Sequence, residues 1–90
     1  EELAEALRRE IREELAAEIE VGPAFGIYNH AYTHFKVTLH AFLCRLAGDA
    51  RPTPLEASEL RWVVPPELPD YPMGKIDRQI ARRLQENFHA

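Results

Sequence analysis

The run Arg9-Glu10-Ile11-Arg12-Glu13-Glu14 places three carboxylates beside two guanidinium groups. If it is helical, with about 100° of turn per residue, Glu10, Glu13 and Glu14 share roughly one third of the circumference. They border an apolar stripe of Leu3, Leu7, Ile11 and Leu15. Glu10 and Glu14 form a like-charge i,i+4 pair, which costs a helix roughly a few tenths of a kcal/mol. Hard oxygen donors so grouped suit a divalent cation such as Mg²⁺, which keeps coordination positions for phosphate oxygens. The same residues also read as a solvated helix face, with Glu5–Arg9 and Arg9–Glu13 as ordinary surface pairs.

The elements that must position these groups follow from the pattern. Residues Glu1 to Ala17 are rich in Ala, Leu, Glu and Arg, contain no Gly or Pro, and predict a helix. Glu18 to Val21 predicts a short strand ended by Gly22-Pro23, and Phe25 to Tyr28 a second. Phe35 to Arg45 predicts the main strand, with Val37, Leu39, Ala41 and Leu43 on one face and Lys36, Thr38, His40, Phe42 and Cys44 on the other. Ala47 to Pro54 is a loop, and Leu60 to Val64 a strand stopped by Pro65-Pro66, with Trp62 in the core. After a turn at Asp70 to Gly74, Lys75 to Phe88 predicts a helix with the stripe Ile76, Ile80, Leu84 and Phe88. The class is α/β, with an antiparallel or mixed sheet covered by helices.

Composition bounds the rest. The chain has 90 residues, a net charge of −4 and 46% apolar residues, so one globular domain is the ceiling. At this size only about 60–65% of the unfolded surface is buried on folding. The single Cys44 excludes an internal disulfide and a Cys-based zinc site, and reads as a packed thiol. No apolar run nears the roughly 20 residues of a membrane span. The start on Glu1-Glu2 is unlike a signal peptide, so a cytoplasmic location is expected. The mild acidity gives no overall footprint of a nucleic-acid backbone binder.

The carboxylate run resembles the Nudix box, G-x5-E-x7-R-E-U-x-E-E-x-G-U with U aliphatic. Glu1 matches the first acid, and Arg9 to Glu14 match R-E-U-x-E-E throughout. The sequence departs from the box at Ala16, in place of the closing Gly, and at Ala17. That Gly commonly ends a helix in the left-handed conformation, so the helix is expected to run slightly further here. The resemblance implies a Nudix-type α/β/α sandwich with a mixed sheet. Residues 1–90 would be the C-terminal part of a single Nudix domain, beginning at the box helix and lacking the N-terminal strands and Gly-rich loop. A sheet so shortened would have an open edge.

Two further stretches carry the resemblance. Glu56 to Val63 resembles the late loop and strand of the MutT branch, where a glutamate six residues before a Trp joins the metal site or acts as base. Glu56 stands at that spacing from Trp62, and equally reads as a solvated loop carboxylate. The Asn that reads the base in that branch is absent from Met73-Gly74-Lys75-Ile76-Asp77, which leaves Lys75 or Asp77 to meet a base edge, or to serve as a helix N-terminal turn. His30 to Leu39 resembles the His-x-aromatic-Ser/Thr-His loop of the Nudix-like C-terminal domain of MutY-type adenine glycosylases, matched by Tyr32, Thr33 and His34. His30, His34 and His40 keep no zinc spacing with Cys or carboxylates.

The resemblance implies a Mg²⁺- or Mn²⁺-dependent nucleoside triphosphate diphosphatase of the MutT type, sanitising 8-oxo-dGTP in DNA repair and releasing pyrophosphate. Glu10, Glu13 and Glu14 would hold the metal, Glu10 or Glu56 would activate water, and Arg9 would fix a carboxylate by bidentate pairing. Tyr32, Thr33, His34 and Lys75 would bind the nucleotide, with Phe35 helping to flank the base. The expected partner is the nucleotide, with no membrane, and homodimers are common in the class. The alternative is a non-catalytic domain that recognises 8-oxoguanine in DNA, as in MutY-type glycosylases. A third reading is a protein-interaction fragment. Arg78, Arg82 and Arg83 read as a solvated helix face, though they are also suited to phosphate.

Overall fold

A computed structural model of the chain describes residues 2–56 and 59–88. Its elements are helix α1 (Leu3–Leu15), strand β1 (Ile19–Ala31), strand β2 (Lys36–Leu46), a 3₁₀ helix (Pro65–Asp70) and helix α2 (Lys75–Glu86). The two strands, joined by residues 32–35, pair as one antiparallel hairpin. The α/β class holds, in a smaller form than the expected sandwich: among the described residues the sheet has two strands. Glu1, the first acid of the box resemblance, lies outside the described residues. No helix among the described residues is long and apolar enough to cross a membrane.

The chain divides into two compact units. The first comprises Glu1–Phe25 and Phe42–Arg61. Here α1 stops sooner than its composition predicts. Ala16 takes the left-handed conformation, φ 52° and ψ 35°, and its N–H donates to the Arg12 carbonyl at 3.0 Å. The expected extension fails because the next carbonyls are already used. Thr53 N–H donates to Leu15 O at 2.7 Å and Leu55 N–H to Glu14 O at 2.9 Å, where a continuing helix would bring its own amides. Leu7, Ile11 and Leu15 are half-buried and Leu3 is exposed, while Ala17, just past the helix, is buried.

Gly22-Pro23 does not end a strand, contrary to the sequence reading: β1 continues through both residues to Ala31. A proline is tolerated because each strand of a two-stranded sheet is an edge, where a missing N–H breaks no ladder on the open side. Gly22 permits close approach, since a Cβ there would sit 2.7 Å from the Leu43 carbonyl oxygen. At its far end this pairing is prolonged by Ala47 N–H donating to Glu18 O at 3.0 Å. Phe42 is half-buried and Leu43 is exposed, so the alternation along β2 breaks at this point, and Cys44 is exposed rather than a packed thiol.

The second unit comprises Gly26–Ala41 and Trp62–Ala90. Along β2, Val37, Leu39 and Ala41 are half-buried and Lys36, Thr38 and His40 exposed, as the alternation predicts. Gly26 takes φ 102°, in the region that side chains disfavour, and the Tyr28 ring and Arg83 guanidinium occupy the space a Cβ would need. Helix α2 buries Ile76 and Ala81, with Ile80 and Leu84 half-buried. It ends at Glu86 rather than Phe88: Asn87 leaves the helical dihedrals at φ −100° and ψ 4°, the Phe88 N–H turns to the Gln85 carbonyl, and the Asn87 side-chain amide donates to the Arg83 carbonyl.

The predicted strand at Leu60 to Val64 is not formed; the segment pairs with neither strand. Leu60, Trp62 and Val64 are exposed, and Trp62, expected in the core, is 74% exposed. A strand is held by ladder hydrogen bonds to a neighbour, so apolar, β-prone residues do not suffice without one.

Candidate functional site

The acidic residues belong to the first unit, and α1 sets their spacing. Glu10, Glu13 and Glu14 are all exposed, beside rather than under the half-buried stripe. Arg9 Nη1 lies 3.2 and 3.3 Å from the two carboxylate oxygens of Glu13, so one nitrogen holds both. Among the described residues, no hydrogen bond or ion pair engages the Glu10 or Glu14 carboxylate.

Glu56 comes to the end of this helix through its backbone. Its N–H approaches the Glu14 carbonyl at 3.5 Å, next to the firmer bond from Leu55. Among the described residues, no group of three His, Cys, Asp or Glu side chains converges as a metal-binding cluster. Glu10, Glu13 and Glu14 are exposed carboxylates on this helix, hard oxygen donors of the kind that divalent cations take.

Sequence reasoning assigned Arg12 no partner, but the structure does. Its Nε and Nη2 grip the two oxygens of Glu18, the latter at 3.0 Å, across the left-handed turn at Ala16. That hydrogen bond is the main cause holding the Glu18 carboxyl below the usual range; partial desolvation opposes it, and the charges of Arg12 and Arg8 reinforce it. The same bond raises Arg12 further above its ordinary value. The legible signal was an arginine in the last helical turn with an acid just beyond the helix.

The other candidates lie in the second unit, at the hairpin tip. Tyr32 N–H donates to Phe35 O at 2.7 Å, which closes the hairpin around Thr33 and His34. The Tyr32 ring stacks on Phe35 with centroids 4.9 Å apart and planes inclined by 26°. His30 meets Tyr32 edge-on at 4.5 Å. Tyr32, Thr33, His34 and Phe35 are all exposed, so a flat aromatic face and two polar side chains meet solvent together. Behind them, Thr38 Oγ1 and Asn29 Oδ1 are hydrogen-bonded at 2.7 Å and brace the paired strands.

Lys75, the first residue of α2, and Asp77 in its first turn are exposed. The structure thus joins Tyr32 and Phe35 with His30, a partner the spacing alone did not give. An open groove of about 710 Å³ also runs beside α2, between Tyr71-Pro72-Met73 and the face carrying Arg78 and Arg82.

Among known protein families, the family model described as NUDIX domain matches residues 1–83. No curated protein matches the chain significantly.

Proposed function

The chain belongs to the NUDIX domain family, and from that premise we propose that it recognises an oxidised guanine base in DNA through its hairpin tip. The observation that carries this reading is the exposed Tyr32–Phe35 stack flanked by His30. An aromatic face offers a base about 1–3 kcal/mol of stacking whatever its sequence. Selectivity then falls to the polar groups beside it. Relative to guanine, 8-oxoguanine carries an added oxygen at C8 and a hydrogen at N7. The Thr33 hydroxyl can donate and accept, and the neutral His34 ring offers one donor and one acceptor. Lys75 is assigned to the same ligand as a cationic contact.

The test is fluorescence anisotropy with two labelled duplexes that differ only by 8-oxoguanine in place of guanine. Tighter binding to the oxidised duplex is expected. Tyr32→Ala should weaken both complexes by about 1–3 kcal/mol, and Thr33→Ala or His34→Ala should erase the difference between them. Equal affinities for the two duplexes in the unmodified chain would sink this reading.

A second reading, a MutT-like nucleoside triphosphate diphosphatase, is favoured by the R-E-U-x-E-E spacing on an exposed helix face and by the tether that brings Glu56 to its end. Glu10, Glu13 and Glu14 would hold Mg²⁺ or Mn²⁺, which supplies charge neutralisation for phosphate oxygens. Glu10 or Glu56 would accept the proton of the attacking water. Arg9 would restrain Glu13, whose two oxygens it already engages. Pyrophosphate release from 8-oxo-dGTP that requires Mg²⁺ and is lost in Glu14→Gln would establish it, while no release from a folded form extended upstream through the Gly-rich loop would exclude it.

A further inference from the structure

We propose that the groove beside α2 seats a phosphodiester backbone, with Arg78 and Arg82 as its phosphate-binding pair. The two residues are exposed, one turn apart, and both line the groove. Like charges at this spacing repel. Among the described residues, neither guanidinium has a carboxylate within ion-pair distance, so no intramolecular partner offsets that repulsion. Arg78 Nη2 donates to the Met73 carbonyl at 3.0 Å, which ties one of the two cations to the opposite wall while leaving its other donors available. That wall, Tyr71, Pro72 and Met73, presents flat and apolar surface suited to a sugar or an unstacked base. Asp70 is the one acidic residue among those lining the groove.

Charge distribution favours a polyanion at this unit. The first unit has six Lys and Arg against eleven Asp and Glu, whereas the second has five against four. The chain's net negative charge therefore belongs to the first unit, and the overall value of −4 conceals a second unit that is mildly cationic. A nucleic-acid backbone rather than a free nucleotide is assigned because the reading of the hairpin tip as a base reader in DNA brings a continuous strand to this unit; the inference rests on that reading for its ligand.

The test is the salt dependence of binding to a short fluorescein-labelled undamaged duplex, followed by anisotropy. Removing one phosphate-neutralising cation should flatten the plot of log affinity against log salt by about 0.9. Arg78→Gln/Arg82→Gln should therefore lower the slope by about 2 and weaken binding at low salt about tenfold or more. Arg78→Lys/Arg82→Lys should restore most of the slope, since the charge is kept. An unchanged slope in the Gln variant, or no duplex binding by the unmodified chain, overturns the proposal. So does a Gln variant that no longer binds free 8-oxo-dGMP yet still binds the duplex, which would assign the groove to a nucleotide. Failure of the base reading is separable: it removes the preference for the oxidised duplex, whereas failure here leaves that preference and abolishes the effect of the arginines on the slope.

Discussion

Arg12 holds both carboxylate oxygens of Glu18 in a guanidinium fork that spans the left-handed turn between α1 and β1. The pair ties the last turn of the helix carrying the acids to the residue just before the strand. Both side chains are more than half exposed, so its effect is set by pH and salt.

Glu18 is held below its ordinary value of 4.5 in the folded chain. The stability this contributes is complete above the unfolded value and is lost as pH falls through the lower folded value. Thermal unfolding of Glu18→Gln and the unmodified chain should therefore differ at pH 6 and converge under strong acid. A constant difference down to the lowest pH would show that the fork does not govern this dependence. Molar salt should shrink the difference at pH 6.

Ala16 occupies a conformation that favours glycine, and its carbonyl-capping bond to Arg12 needs only a backbone N–H. Ala16→Gly should thus stabilise the chain by about 0.5–1 kcal/mol, the steric relief exceeding the added entropy of the unfolded state. A urea midpoint that rises with unchanged slope would confirm it; a fall would mean that the turn is not strained.

Gly22 and Gly26 should resist substitution for different reasons. At Gly22 a methyl group meets the Leu43 backbone, which cannot swing aside. At Gly26 the backbone dihedral itself is disfavoured for alanine. Either alanine variant should cost about 1–3 kcal/mol, read as a lower urea midpoint. Gly48→Ala is a useful comparison, since its positive φ has open space around it and only the dihedral cost applies.

Burial ranks the two helices. Ile76 is buried in α2, so Ile76→Ala should cost about 2–4 kcal/mol. Ile11 is half-buried in α1, and Ile11→Ala should cost about 1–2 kcal/mol, less than a core cavity. Equal losses in chemical denaturation would place the α1 stripe in a better-packed environment than its exposure indicates.

Local chemistry made much of this chain legible. The helices and β2 follow from composition and period, because hydrogen bonds within a helix, and alternation along a strand, are encoded by nearby residues. The ordered acids of Arg9 to Glu14 and the aromatic-Thr-His run at Tyr32 were likewise visible, as was the family they resemble, which the match to residues 1–83 shows.

Pairing and capping were decided at longer range. Gly22-Pro23 looks like a strand end until β2 lies alongside and uses the missing side chain. Ala16 looks like a helix interior until Thr53 and Leu55 occupy the carbonyls that another turn would need. Leu60 to Val64 has the residues of a strand, yet it joins no sheet among the described residues, and the Val64 carbonyl instead accepts the Glu67 N–H that opens the 3₁₀ helix. The sequence by itself determined which groups are available for chemistry and which helices carry them. Only the tertiary structure decided that Arg12 grips Glu18, that Tyr32 stacks on Phe35, and that Trp62 faces solvent, because each depends on what distant or adjoining backbone leaves within reach.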